Sequence, residues 1–272
     1  MEISINDEQL KALLSDVLDI YGYDFSDYSH ASIVRRVNRL ISLDKFPSFA
    51  EFHFRLRTDA QYLERFVEEI TVNVTEMFRD PSFYTALRET VIPEIASKPF
   101  IRIWHAGCAT GEEVYSMAIM LHEAGLLHKS LLYATDINPS VVEQTRRGIF
   151  SLAHMREYSE NYIASGGKHD FSSYYSAKYD RVIFNDMLRE KIICSTHNLV
   201  SDRSFNEFQL ILCRNVLIYF DKYLQDRVLK LFDASLERLG FMALGSKETM
   251  KFSDVHPSYH QLGKEKIWRK KK

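Results

Sequence analysis

Residues 103–115 read IWHAGCATGEEVY: an apolar run, two glycines and a pair of carboxylates. A strand that enters a helix through a glycine turn often cradles a nucleotide, because glycine lets the backbone approach the ligand and the helix N-terminus faces it. Here the spacing is Gly107-x-x-x-Gly111, without the middle glycine of the dinucleotide pattern, and it leads straight into Glu112 and Glu113. Two acids at a helix N-terminus suit the helix dipole but repel a pyrophosphate. The turn therefore fits a cationic or neutral nucleotide better than NAD. The alternative is an ordinary tight turn with a charged helix cap.

A second acid sharpens this. Asp136, in LLYATDINPS, ends the next apolar run. It follows the glycines by about 25 residues, near the roughly 20-residue spacing at which an acid meets a ribose in Rossmann-like sites. A carboxylate there can accept both ribose hydroxyls. Asp136 could instead cap a helix, although Asn138 before Pro139 is the more natural cap. S-adenosylmethionine meets these demands, since it carries a sulfonium, an α-ammonium and a ribose but no phosphate. His105 and His197 adjoin these motifs; packing or a local hydrogen bond is the simpler account of each.

The elements that must hold these residues follow from periodicity. Residues 6 to about 70 predict four short helices. The first is capped at Asn6 or Asp7, carries apolar positions 10, 13, 14, 17 and 18, and stops at Gly22. The pattern changes near residue 73, where NVTEMFRDP ends in a proline that cannot continue a helix. After a helix over PSFYTALRETVIPEIA, strands and helices alternate: FIRIWHAG, EEVYSMAIMLHEAG, LLYATDI, PSVVEQTRRGIF, then FQLILC, KYLQDRVLKLFDASL and GFMALGS. Alternation of this kind predicts a mainly parallel sheet with helices on both faces and ligands at the carboxyl ends of its strands. The expected fold class is thus α/β, a Rossmann-like domain. Residues 152–192 break the alternation and read as a small insertion of antiparallel strands. The expected organisation is a helical domain over 1–72 and an α/β domain over 73–272.

Bulk properties exclude several classes. The 272 residues carry a formal net charge of −2, so no global basic field argues for nucleic acid. Cys108, Cys194 and Cys213 form no Cys-x-x-Cys pair, which predicts neither zinc nor a disulfide framework and suits a reducing, cytoplasmic compartment. No apolar run reaches membrane-spanning length. The start, MEISINDEQLKALLSDVL, is acidic rather than a signal peptide. The closing RKKK reads as a solvated end, and a monomer is the default expectation.

Five segments in order, NVTEMFRD (73–80), GCATGEEVYS (107–116), ATDIN (134–138), HNL (197–199) and CRNVLIYFD (213–221), resemble the chemotaxis receptor methyltransferase family, CheR. The resemblance spans nearly the whole chain. It implies a protein-glutamate O-methyltransferase that uses S-adenosylmethionine to form γ-methyl esters on the cytoplasmic domains of methyl-accepting chemoreceptors. Carried over, it implies that Asn73, Thr75 and Arg79 touch the cofactor, with Arg79 on the methionine carboxylate. Ala106 and Gly107 lie under the methionine portion, and Glu112 or Glu113 faces the cofactor while the other is solvated. Asp136 takes the ribose, Asn198 and Leu199 flank the adenine, and Asn215 and Val216 close the reacting end. Tyr219 stands close to the transferred methyl, with a buried aromatic as its bland alternative. The family carries a second arginine in the helix after FRD. Arg88 is the one arginine there, and it is not carried over.

Methyl transfer to a glutamate needs no strong base, because that carboxylate is already ionised at neutral pH. The residues would orient the reactants and exclude water. SIVRRVNRL places Arg35, Arg36 and Arg39 along one edge of a helix whose Ile33, Val37 and Leu40 face inward, a cationic strip suited to an acidic partner, with Arg55 and Arg57 as possible extensions. YSAKYDRVIF offers an edge to which a receptor C-terminal peptide could add a strand. The competing readings are a methyltransferase with another substrate, a scaffold or sensor that binds S-adenosylmethionine or S-adenosylhomocysteine without transfer, and a nicotinamide oxidoreductase.

Overall fold

Helix α1 (Asp7–Tyr21) begins where Asn6 and Gln9 form a reciprocal capping box, and it stops at Gly22 in the left-handed conformation. Helices α2 (His30–Leu43), α3 (Phe49–Thr58) and α4 (Ala60–Ile70) follow. Ser48 and Asp59 cap α3 and α4 through their side-chain oxygens. Leu10, Leu13, Leu14, Val17, Ile33, Val37 and Leu40 are buried at helical spacing. Leu18, expected on that face, points outward instead, because its position falls past the edge of the buried stripe.

The computed structural model describes residues 4–71 and 73–271. They fall into two units. The first holds the described residues up to Asn73 together with Ile218–Arg227; the second holds Val74–Leu217 and the chain from Val228 onward. Within the first unit, residues 218–227 join the helices through backbone pairing. Tyr28 forms a β-bridge with Phe220, Ser29 N–H donates to Tyr219 O at 2.7 Å, and Asp221 N–H donates to Asp27 O at 3.0 Å.

In the second unit, Pro81 sits at the first helical position of α5 (Pro81–Ala86), where its missing N–H costs nothing. The expected single helix is interrupted: a π-turn over Leu87–Val91 separates α5 from α6 (Ile92–Ile95), with Pro93 just beyond the turn. Then come β1 (Ile101–Ala106), α7 (Glu112–Glu123), β2 (Ser130–Asp136), α8 (Pro139–Arg147), β3 (Ile149–Ser151), α9 (Met155–Ala164), β4 (Tyr175–Lys178), β5 (Arg181–Phe184) and α10 (Asp186–Arg189). The remaining elements are β6 (Ile192–Thr196), β7 (Phe208–Cys213), α11 (Lys222–Ser235), β8 (Leu236–Leu244), β9 (Tyr259–Gln261) and β10 (Ile267–Lys270).

The seven-stranded sheet has the order β6-β2-β1-β7-β8-β10-β9. Strands β6, β2, β1, β7 and β8 run parallel, and β10 and β9 add antiparallel. The α/β expectation holds. Parallel register brings the carboxyl ends of those five strands to one edge, so the segments after Ala106, Asp136, Thr196, Cys213 and Leu244 lie together there.

Three local expectations change. The small sheet is β3-β5-β4, and a helix, α9, fills much of the segment read as strands. Residues 192–196 belong to the main sheet beside β2, since their apolar run continues its parallel register. Gly148, in the left-handed conformation, ends α8 and releases β3 where helix was expected. The basic tail is not free either. Arg269 and Lys270 lie in β10, and Lys270 Nζ donates to Asp233 O at 2.7 Å and Leu236 O at 3.2 Å. Residue 272 lies outside the described residues.

Candidate cofactor site

The glycine turn is built from residues that bind each other. Gly107 and Cys108 N–H both donate to Thr135 O, at 2.8 and 2.9 Å. Ala109 N–H donates to Asp136 Oδ2 at 3.0 Å, and Gly111 N–H to Cys108 O at 3.1 Å. Four N–H groups of the turn, those of Gly107, Cys108, Ala109 and Gly111, are therefore already engaged. Gly107 adopts φ +78, and a Cβ there would lie 2.4 Å from Val216 Cγ2, so glycine is required on both counts.

Asp136, 8% exposed, ends β2. Burial raises its pKa, opposed by the N–H groups of Asn138 and Ala109. Oδ1 accepts from Asn138 N–H at 3.0 Å. A carboxylate has about four acceptor positions, and the N–H groups of Asn138, Ala109 and Ile137 leave acceptor capacity for a further donor. Asn138 caps α8 by accepting from Ser140 N–H at 2.9 Å, with Pro139 at the first helical position, as expected.

The two glutamates of the turn differ sharply. Glu112 is 6% exposed and accepts from the Thr110 hydroxyl at 2.6 Å. Burial pushes its pKa up to about 7. Glu113 lies 2.9 Å from His105 Nδ1 and 3.4 Å from Arg214 Nη1. Burial alone would raise its carboxyl, but the His105 ring and the Arg214 guanidinium overcome that and hold it below the ordinary value. The expectation that one of the pair is solvated is thus corrected: Glu112 is buried, and Glu113, half-buried, is committed to an internal network. Glu112 has hydroxyl partners, Thr110 and Tyr158, and no cationic one among the described residues. His105 has the local hydrogen bond expected of it, and His197 Nε2 lies 3.2 Å from Arg203 O.

Arg214 is a residue that sequence reasoning passed over. Its side chain is 3% exposed; Nη2 lies 2.6 Å from Asp80 Oδ2 and donates to Arg79 O at 3.3 Å, and its guanidinium stacks 4.0 Å over Phe83. The signal was present in CRN, since an arginine directly after the apolar run LILC must find acids to be buried. Phe78 and Asp80 flank Arg79 with φ of +52 and +60. Met77 O accepts from Asn161 Nδ2, and Phe78 N–H donates to Ser116 Oγ. Arg79 is therefore presented by a pinned, strained segment. Thr75 lies on the same segment.

The remaining expected residues of the second unit join this edge. His197 N–H donates to Asp136 O at 3.0 Å, which sets Asn198 and Leu199 just beyond β2. Asn198 Oδ1 accepts from Val200 N–H, and Leu199 is buried. Ala106 closes β1. Asn215, with φ +62, and Val216 follow β7.

Known proteins match this chain along its length. The family model described as CheR methyltransferase, SAM binding domain, matches residues 73–265, and that of the CheR methyltransferase all-alpha domain matches 8–71. The chain belongs to the CheR methyltransferase family. Cher3 of Pseudomonas putida is 43% identical over 265 residues, covering 97% of each chain. The chemotaxis protein methyltransferase of Listeria monocytogenes is 32% identical over 230 residues, 84% of each chain. Chemotaxis protein methyltransferase 2 of Pseudomonas aeruginosa is 30% identical over 242 residues, covering 88% of this chain and 84% of that one. As a CheR-family protein, the chain is an S-adenosylmethionine-dependent methyltransferase.

Asn73 and Tyr219 lie in the first unit. Asn73 Nδ2 donates to Thr71 Oγ1 at 3.4 Å. Tyr219 is half-buried under the Arg36 guanidinium, 5.7 Å from its ring centre. The basic strip is more committed than its spacing implies. Arg36 Nη1 donates to Glu69 O, and Arg39 pairs with Glu69 at 2.9 Å. Burial lowers the Arg36 pKa. Arg35 stands exposed, while Arg55 and Arg57 face Asp59 and Asp16 at 3.5 and 3.2 Å. Arg88 pairs with Glu123 at 2.6 Å and donates to Ser165 O at 3.2 Å. Among the described residues no helix is long and apolar enough to cross a membrane, and no His, Cys, Asp and Glu cluster could hold a metal.

Proposed function

We propose that this methyltransferase esterifies glutamate side chains on the cytoplasmic domains of chemoreceptors, giving γ-methyl esters for sensory adaptation. The carrying observation is the donor set of the glycine turn: the N–H groups of Gly107, Cys108, Ala109 and Gly111 are spent internally, and the carboxylates of Glu112 and Asp136 stand beside them. That set refuses a pyrophosphate and suits a cationic, phosphate-free nucleotide. When bound, S-adenosylmethionine supplies a methyl carbon activated by a sulfonium.

The chain's residues do the rest by position. Asp136 has acceptor capacity for a ribose diol. Arg79 takes the methionine carboxylate as a charge-assisted pair. Asn73 and Thr75 assist it, and Ala106, Gly107, Asn198, Leu199, Asn215 and Val216 line the remaining cofactor contacts. Tyr219 aligns the incoming carboxylate. A glutamate arrives ionised at neutral pH, so no base is required and no proton moves. Residues 1–72 are read as the receptor-docking domain and 73–272 as the methyltransferase domain. Arg35 is the docking cation that internal pairs leave uncommitted, with Arg39, exposed but paired with Glu69, and Arg36 beside it. The outer edge of β4 suits a receptor C-terminal peptide adding a strand, because β4 pairs only with β5 among the described residues.

The test is transfer of labelled methyl to a purified receptor cytoplasmic fragment. The expected product releases its label as methanol in alkali, as a carboxylate ester does and an N-methyl group does not. Arg35→Glu should raise KM for the fragment while leaving S-adenosylhomocysteine affinity unchanged. Alkali-stable label, or no transfer by a protein that binds the nucleotide, would remove glutamate esterification.

A further inference from the structure

A buried carboxylate at the carboxyl end of β8 grips the loop after β7. Glu248 is 4% exposed. Its Oε2 accepts from Gly245 N–H at 2.6 Å and from Asn215 N–H at 3.0 Å. Gly245 leaves no room for anything larger: a Cβ would lie 2.8 Å from Asn215 N, 2.8 Å from Glu248 Oε2 and 3.0 Å from Asn215 Nδ2. One carboxylate oxygen thus ties two loop backbones together at the edge where the cofactor residues collect.

The residue it holds is in a conformation that needs holding. Asn215 has φ +62, a left-handed geometry that asparagine tolerates but does not prefer. Val216, next in the chain, is the side chain that presses on Gly107. Arg214, just before it, reaches Glu113 and Asp80. A change in the Glu248 grip would therefore be felt at the floor of the glycine turn. Burying a carboxylate is costly, and the two charge-assisted bonds to Gly245 and Asn215 N–H offset that cost only while both loop backbones stay where the oxygen can reach them.

We propose that Glu248 is a positioning residue for the cofactor site, setting the backbone of Asn215 so that its side chain and Val216 meet the nucleotide. The inference rests on the reading of Asn215 as a cofactor contact. Glu248→Gln keeps the size and one acceptor oxygen but replaces charge-assisted hydrogen bonds with neutral ones of about half the strength. S-adenosylhomocysteine affinity should fall about tenfold, and KM for S-adenosylmethionine should rise alike, with kcat and the unfolding temperature close to the parent's. Asn215→Gly keeps the N–H and tolerates the positive φ while removing the side chain. It should weaken binding comparably, and the double variant should be no weaker than either single one.

Unchanged affinity in Glu248→Gln, or additive losses in the double variant, would overturn the inference. Unchanged affinity in Asn215→Gly would remove Asn215 itself from the site, a distinguishable failure that takes the inference with it. Should Glu248→Gln not fold, Glu248→Asp keeps the charge and withdraws it by one methylene. The same binding loss in that folded variant supports the role, and normal binding overturns it.

Discussion

Helix α7 carries a buried glutamate–arginine pair at each end. At its N-terminus Glu113 meets Arg214; at its C-terminus Glu123, 2% exposed, meets Arg88. The chemistry is the same and the surroundings are not. Around Arg214 the backbone bends through positive φ at Phe78, Asp80, Gly107, Ala109, Gly111 and Asn215, and a neighbouring carboxylate, Glu112, is left near neutrality. Around Arg88 the partners are a clasp: Glu123 also accepts from the Tyr162 and Tyr174 hydroxyls and from Lys168 N–H, joining α7, α9 and the small sheet's approach. A buried ion pair therefore does not mark function by itself. Strain and a carboxylate without a cationic partner beside it do.

The sharpest way to break this comparison is to remove both arginines separately. Arg214→Ala and Arg88→Ala should each cost about 3–5 kcal/mol, because each strands a buried carboxylate. Chemical denaturation at low temperature measures this. Methyl transfer should then separate them: about 100-fold or more lost for Arg214→Ala, and near-parent turnover per folded molecule for Arg88→Ala. Equal losses of turnover would erase the distinction between the two ends.

Gly107→Ala should come next. It combines a disfavoured φ with a Cβ 2.4 Å from Val216 Cγ2. A cost of about 1–3 kcal/mol in stability is expected, with S-adenosylhomocysteine affinity falling at least about tenfold by calorimetry. Tyr219→Phe should lower turnover about tenfold or more with nucleotide affinity within about twofold. Unchanged turnover would take Tyr219 out of the site.

The smallest effect concerns Glu112. Its folded pKa is raised to about 7 by burial, so it is partly protonated in the free protein near neutrality. A cationic ligand favours the carboxylate and lowers that pKa, so binding releases a proton below pH 7. Affinity should rise by a few-fold between about pH 6 and pH 8 and then flatten. Glu112→Gln should remove that rise, read as the ratio of parent to variant affinity at each pH. A ratio constant with pH would place the ligand's cation elsewhere.

The periodicity of α1 to α4, the caps at Asn6 and Asn138 and the alternation from β1 to β2 were legible because local chemistry decides them. Four of the five parallel strands, β1, β2, β7 and β8, followed from the same alternation, whereas β6 did not. Less legible were features that tertiary contacts decide. The strand Ile267–Lys270 looked like a solvated tail because Lys270 finds its carbonyl partners only after β8 and α11 are in place. The three-stranded sheet was misplaced because β3 is a three-residue strand released by one glycine. The split between Glu112 and Glu113 depends on His105 and Arg214, which no spacing along the helix reveals. Glu248 was invisible for the same reason, since its partners are backbone N–H groups of two separate loops.

The most direct measurement is calorimetric titration of the folded protein with S-adenosylhomocysteine and, separately, with NAD. The account predicts micromolar binding of the first, none of the second, and marked weakening of the first in Asp136→Asn, which deprives the turn of one acceptor oxygen. Binding of NAD, or S-adenosylhomocysteine binding indifferent to Asp136, would contradict the assignment of the cofactor to the glycine turn.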